Sequence, residues 1–139
     1  MDDELEQRIL SGEALRQTLG DFRILSWDAS DKTLWGAFTV RREFCHTNAT
    51  IAQGGFVTGW LDMAMARAVH QATDRAYNVA SLEIKVTFLE PVGPGEGKVQ
   101  ARITRLGKRV AFLEGELFNP AGKPAARASS TALLIPVAK

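Results

Sequence analysis

The chain has 139 residues, 45% of them hydrophobic and 24% charged, and its seventeen Lys and Arg against sixteen Asp and Glu leave a formal net charge of +1. That length suits one domain, spanning 1–139, with a core of its own, and the near-balanced charge excludes a global field for a nucleic-acid backbone or an anionic membrane surface. A single cysteine, Cys45, excludes an internal disulfide and fits a reducing compartment, so the cytoplasm is the expected location.

The acidic start MDDELEQRIL is unlike the basic, apolar start of a signal peptide, and no stretch approaches the roughly 18–20 apolar residues of a membrane span. Leu5, Ile9, Leu10, Ala14, Leu15 and Leu19 recur at helical spacing and predict an N-terminal helical segment within 1–19. Phe22, Ile24 and Trp27, then Leu34, Trp35, Ala37, Phe38 and Val40, read as two strands joined by the turn residues 28–32. A loop from about Arg42 to Gln53 leads into Gly54-Gly55. From there a helix is expected over 54–73, and Phe56, Val57, Trp60, Leu61, Met63, Ala64, Met65, Ala68, Val69 and Ala72 cover most of its circumference, the mark of a buried helix. Residues 82–88 alternate apolar and polar, and further alternating runs follow at 99–105, 110–118 and 125–135, separated by Gly, Pro and Asn turns. An α+β domain follows, with five or six antiparallel strands wrapped around one long central helix.

Asp62 is the outlier on that helix, because an ionised carboxylate in apolar surroundings costs several kcal/mol unless it is paired or reached by solvent. It either faces water or pairs with Arg67 or Arg75, or else it serves as a base or nucleophile in a cleft. Gly54-Gly55 opens the same helix, where free N–H groups and the positive end of the helix dipole suit an oxyanion. The same two glycines equally suit a plain turn into the helix. Gly55 and Asp62 are seven residues apart, which puts them on one helix face but about 10.5 Å apart along the axis. One reacting carbonyl cannot use both at once within a chain. Two such helices running antiparallel across a two-fold axis would bring Gly55 of one copy to Asp62 of the other, so a dimer is expected.

His46 and His70 have no metal-ligand spacing with Cys45, and no metal is expected. His46 reads as a loop hydrogen-bonding residue and His70 as structural. Ser81 lacks the context of a nucleophile and reads as a polar lining residue. Gly107, Lys108 and Arg109 form a basic turn, either solvated or placed to meet the phosphates of a nucleotide-bearing acyl carrier.

The run His46-Thr47-Asn48-Ala49-Thr50-Ile51-Ala52-Gln53-Gly54-Gly55-Phe56-Val57-Thr58-Gly59-Trp60-Leu61-Asp62 resembles the signature of the PaaI-like hotdog thioesterases: an Asn, a short loop, His-Gly-Gly, and an Asp seven residues after the second Gly. Ser81–Pro91 and Gly122–Thr131 resemble later segments of that family, so the likeness covers roughly 20–135. The resemblance implies a hotdog fold, pairing through the sheet into homodimers and often homotetramers, and acyl-CoA as substrate, with no cofactor beyond the coenzyme A of that substrate. It implies Asp62 as base or nucleophile, Gly55 as oxyanion donor, Asn48 as the residue orienting water or carboxylate, and Gly54 and Ser81 as lining residues. It also implies that the basic residues around Gly107 meet coenzyme A phosphates. Gln53 stands where the family has His, so the group beside the thioester hydrogen-bonds without titrating near neutral pH. The loop from Asn48 to Gln53 is one residue shorter than the family's. A hotdog hydratase would need a His beside Asp62, which the helix does not offer. A catalytically silent acyl-CoA-binding protein and a purely structural oligomer are the remaining alternatives.

Overall fold

The computed structural model describes residues 12–137; Leu5, Ile9 and Leu10 of the expected N-terminal helix lie outside them. Residues 12–18 are helical (α1). The hairpin β1 (Arg23–Asp28) and β2 (Thr33–Val40) comes next, its turn held by the Asp28 carboxylate, which accepts from Ser30 N at 3.0 Å and Asp31 N at 3.2 Å.

The segment expected to be a loop contains order. After a 3-10 turn at Arg42–Phe44, the two-residue strands β3 (Cys45–His46) and β4 (Ile51–Ala52) pair with each other as a separate small sheet. Thr47, Asn48 and Ala49 between them all have positive φ, of 53°, 56° and 59°. Ala52 N donates to Val92 O at 2.8 Å and Gln53 N to Phe44 O at 2.9 Å, so this strap fixes where the next helix begins. Such short strands carry no periodic signal; tertiary hydrogen bonds hold them.

The central helix α2 (Gly54–Ala72) ends one residue before the expected boundary, where Thr73 Oγ1 turns back onto Val69 O at 2.8 Å and the left-handed Asp74 and Arg75 break the helical run. Its buried side carries Val57, Trp60, Leu61, Ala64, Met65, Ala68 and Val69. The opposite side is not buried as its composition suggested: Thr58, Asp62, Ala66 and His70 remain half-exposed.

Then come β5 (Tyr77–Phe88), β6 (Gly95–Leu106), β7 (Val110–Phe118) and β8 (Pro124–Pro136). The six-stranded sheet has the order β1-β2-β6-β7-β8-β5, antiparallel throughout, with α2 across one face. Burial alternates along β7 as the spacing predicts, with Ala111, Leu113 and Leu117 turned to the helix. Burying a side chain such as Leu61 or Met65 contributes about 1.5–3 kcal/mol relative to exposure. Gly115 lets the helix approach closely, since a Cβ there would stand 3.0 Å from Leu61 Cδ2. The ring of Trp60 stacks on Phe38 at 4.2 Å, and its Nε1 donates to Leu19 O at 3.1 Å, which ties the end of α1 to α2.

β5 begins five residues earlier than its alternation indicates and lies at the sheet edge. A register shift between Ser81 and Glu83 leaves Leu82 59% exposed, and Phe88 at the far end is 55% exposed. This strand does not have one face wholly on the core, as the alternating pattern led us to expect.

Candidate active site

Asp62 is half-buried and accepts a hydrogen bond from Ser81 Oγ at 2.7 Å. Its partner is therefore neither Arg67 nor Arg75. Arg67 lies five residues on, about 140° round the helix, and so faces away from Asp62. The serine holds Oδ1, and no protein group among the described residues bonds Oδ2, which can meet water.

The second group forms at the start of α2. Gln53 is the N-cap residue, with φ −61° and ψ 139°, and its Oε1 accepts from Gly55 N at 2.9 Å. The N–H expected to serve the oxyanion is thus engaged. Phe56 N and Val57 N both turn to Gln53 O, whereas Gly54 N–H makes no hydrogen bond among the described residues. Gly54, the first helical residue, is the free donor because nothing precedes it at hydrogen-bonding distance in the helical ladder. A cavity of about 380 Å³ adjoins it, walled by Ile51, Val57, Phe88 and Val92, with His46 and Glu90 also lining it. The Phe88 ring lies against Gly54, its Cζ 3.3 Å from where a Cβ would stand.

The remaining expected residues are more dispersed. Asn48 sits exposed in the left-handed turn between β3 and β4 and makes no hydrogen bond to Gly55 or Asp62 within the chain. Gly107 N donates to Val110 O at 2.9 Å in the β6–β7 turn, where Lys108 and Arg109 are exposed. The register Val110↔Leu133↔Ala80 puts that turn at the same end of the sheet as Ser81, across β7 and β8. His46 Nδ1 lies 2.8 Å from Thr47 Oγ1, a loop contact as expected, yet the residue also lines the cavity at Gly54. Burial pushes the His70 imidazole below its usual pKa; the nearby Arg67 and Arg75 charges act in the same direction, and a hydrogen bond with Asn78 opposes them. Among the described residues no three His, Cys, Asp or Glu side chains cluster as metal ligands would. Sequence reasoning did not anticipate the capping role of Gln53 or the place of Phe88. The end of an alternating apolar run, where the strand leaves the sheet, was the available signal for Phe88.

A larger cavity, of about 630 Å³, lies on the sheet face away from α2. Its guanidinium groups are already paired, Arg102 with Glu114 and Arg127 with Glu116, each at 3.2 Å. It contains neither group described above.

The sheet-around-helix topology is the hotdog fold, and the comparisons agree. A phenylacetic acid degradation-related protein from Ralstonia eutropha JMP134 is 28% identical and superposes with a TM-score of 0.80, over 91% of this chain and 97% of that one. The Escherichia coli PaaI protein, of the phenylacetic acid degradation operon, is 20% identical with a TM-score of 0.77 over 94% and 90%. A mutant thioesterase from Pseudomonas aeruginosa is 21% identical with a TM-score of 0.77 over 94% of each chain. The last two likenesses speak for the fold alone. No curated protein sequence matches the chain. The thioesterase superfamily matches residues 50–126, which run from the strap through α2 into β8 and include Asp62, Gly54 and Ser81. The chain belongs to the thioesterase superfamily.

Proposed function

We propose that the chain hydrolyses an acyl-CoA to the free acid and coenzyme A, with its site completed across a homodimer. Family membership supports thioester hydrolysis as the general chemistry. The observation that carries the finer reading is Asp62, the one carboxylate on α2, held by Ser81 at the open sheet edge. Two turns separate it from the free N–H of Gly54, about 12 Å along the axis, too far for one thioester within one chain.

The edge strand supports the dimer. β5 is 12 residues long with Leu82 and Phe88 exposed, as is Leu89 just after it, and a long apolar edge invites pairing with another strand. β5 runs antiparallel to α2, so Ser81 lies beside Asp62 and Phe88 beside Gly54. Antiparallel pairing of β5 with its own copy would turn each Asp62 toward the partner's helix start, giving two equivalent sites.

In such a site the thioester oxygen takes the Gly54 N–H, and the acyl group enters the cavity beside Phe88. Asp62 removes a proton from water as the water oxygen bonds to the carbonyl carbon, or attacks that carbon itself to form a mixed anhydride that water afterwards cleaves to the free acid and the regenerated carboxylate. The C–S bond then breaks and coenzyme A leaves as the thiolate. Asn48 of the same assembly orients the water or the carboxylate. Lys108 and Arg109 meet the phosphates, and dimers associate further into tetramers. The test is release of free thiol from a panel of acyl-CoA esters by wild type and Asp62→Asn. Turnover by wild type that falls at least 100-fold in the variant supports the reading. Equal turnover by both removes Asp62 from the chemistry.

A further inference from the structure

Strand β5 carries an inserted residue beside the acid. Ser81 pairs with Ala132 and Glu83 with Thr131, so Leu82 between them has no partner on β8, which makes a β-bulge. After the bulge, Ile84 stands opposite the buried Ser130 and packs on the core. Before it, Ser81 turns to Asp62, with Oγ 2.7 Å from Oδ1. Side chains alternate between the two faces of a strand, so one extra residue decides which face Ser81 takes. Paired regularly back from Ile84, the same sequence would put Leu82 against α2 and Ser81 on the far face of the sheet, away from Asp62. The apolar alternation of Leu82, Ile84 and Val86 favours that regular pairing, which would bury a leucine that is 59% exposed in the bulge. The bulge thus runs against the local pattern, and other contacts must hold it.

We infer that Ser130 is a positioning residue for the hydrolysis: by holding Glu83 it keeps Leu82 bulged out and Ser81 turned to Asp62. This rests on the hydrolase reading above and adds to it a group that touches no substrate. Ser130 is one of two buried polar residues among the described residues, and its Oγ donates to Glu83 O at 2.8 Å. A buried hydroxyl needs such a partner, and this one ties the peptide just after the inserted residue to β8 by a side chain as well as by the sheet. The connection runs from Ser130 through Glu83 and the bulge to Ser81 Oγ and then to Asp62 Oδ1, leaving Oδ2 for water. Asp62 is thereby held in one orientation before substrate arrives.

A double-mutant cycle tests this. Thiol release, on whichever acyl-CoA wild type hydrolyses fastest, is measured for wild type, Ser81→Ala, Ser130→Ala and the double variant, and amide hydrogen exchange along β5 is followed in wild type and Ser130→Ala. Ser81→Ala removes a hydrogen bond to a carboxylate and should lower kcat about 10–100-fold. Ser130→Ala should lower kcat at least about 3-fold with KM within about 2-fold of wild type, because the residue lies outside the cavity beside Gly54. Exchange at residues 80–84 should quicken in the same variant. The double variant should match Ser81→Ala alone, since a residue acting through the Ser81 hydroxyl has no further effect once that hydroxyl is gone. Wild-type kcat in Ser130→Ala, or exchange unchanged from wild type, overturns the inference and leaves the hydrolase reading intact. So does a double variant whose loss is the product of the two single losses, as independent structural damage would give. Absence of turnover by wild type on every ester overturns the hydrolase reading and the inference with it.

Discussion

Replacing Gly54 by proline deletes one hydrogen from the site and little else. Gly54 is the first residue of α2, the position at which a helix accepts proline most readily, because its N–H has no helical partner to lose. Proline restricts the residue before it to extended backbone, and Gln53 already has φ −61° and ψ 139°. The new Cβ stands 3.3 Å from the Phe88 Cζ, a tight contact that needs the ring to shift by a few tenths of an ångström, and Phe88 is 55% exposed and can yield. Stability should change little, since reduced freedom of the unfolded chain contributes about 0.4–1 kcal/mol against that small contact. Loss of an oxyanion donor costs about 2.7–4 kcal/mol in the transition state, a 10²–10³-fold fall in kcat. Urea denaturation and thiol release on the same preparation give both quantities. A well-folded Gly54→Pro protein with undiminished kcat would refute the placing of the oxyanion at this helix start.

Two further substitutions test the scaffold. A Cβ at Gly97 would stand 2.4 Å from Phe38 Cζ, and Phe38 is fully buried and stacked on Trp60, so Gly97→Ala should lower the unfolding free energy by about 1–3 kcal/mol or more. Adding Phe38→Leu should recover part of that loss in urea titrations; additive losses would place the strain elsewhere. Burial lowers the His70 pKa, so the unfolded chain takes up a proton near pH 6.5 that the folded chain resists. Stability from this residue is full above that pH and declines as pH falls below it. The urea midpoint of wild type should therefore drop further between pH 7.5 and 5.5 than that of His70→Asn, and equal drops would show that His70 does not contribute.

The hairpin β1–β2, the start of α2 and the span of β7 were legible because each rests on a local period bounded by turn residues. The early part of β5 was not, since Asn78, Ala80 and Ser81 lack apolar alternation and the register shifts between Ser81 and Glu83. The strap β3–β4 exists through bonds to Phe44 and Val92, which no local pattern foretells. Asp62 stood out by its chemistry alone, whereas its partner Ser81 lies nineteen residues on and is brought to it by the sheet. The engagement of Gly55 N was hidden because Gln is not a customary cap, and a poor capping propensity gave no reason to look for one.

The central claim, that each site draws its acid from one subunit and its helix start from the other, is tested most directly by mixing two inactive proteins. Asp62→Asn and Gly54→Pro are each purified, combined, unfolded and refolded together. Random reassociation makes about half the dimers mixed, and each mixed dimer contains one site with both groups intact, so about a quarter of wild-type thiol release should return. If the mixture recovers nothing while size-exclusion chromatography shows mixed dimers, the two groups belong to one chain's site and the account is contradicted.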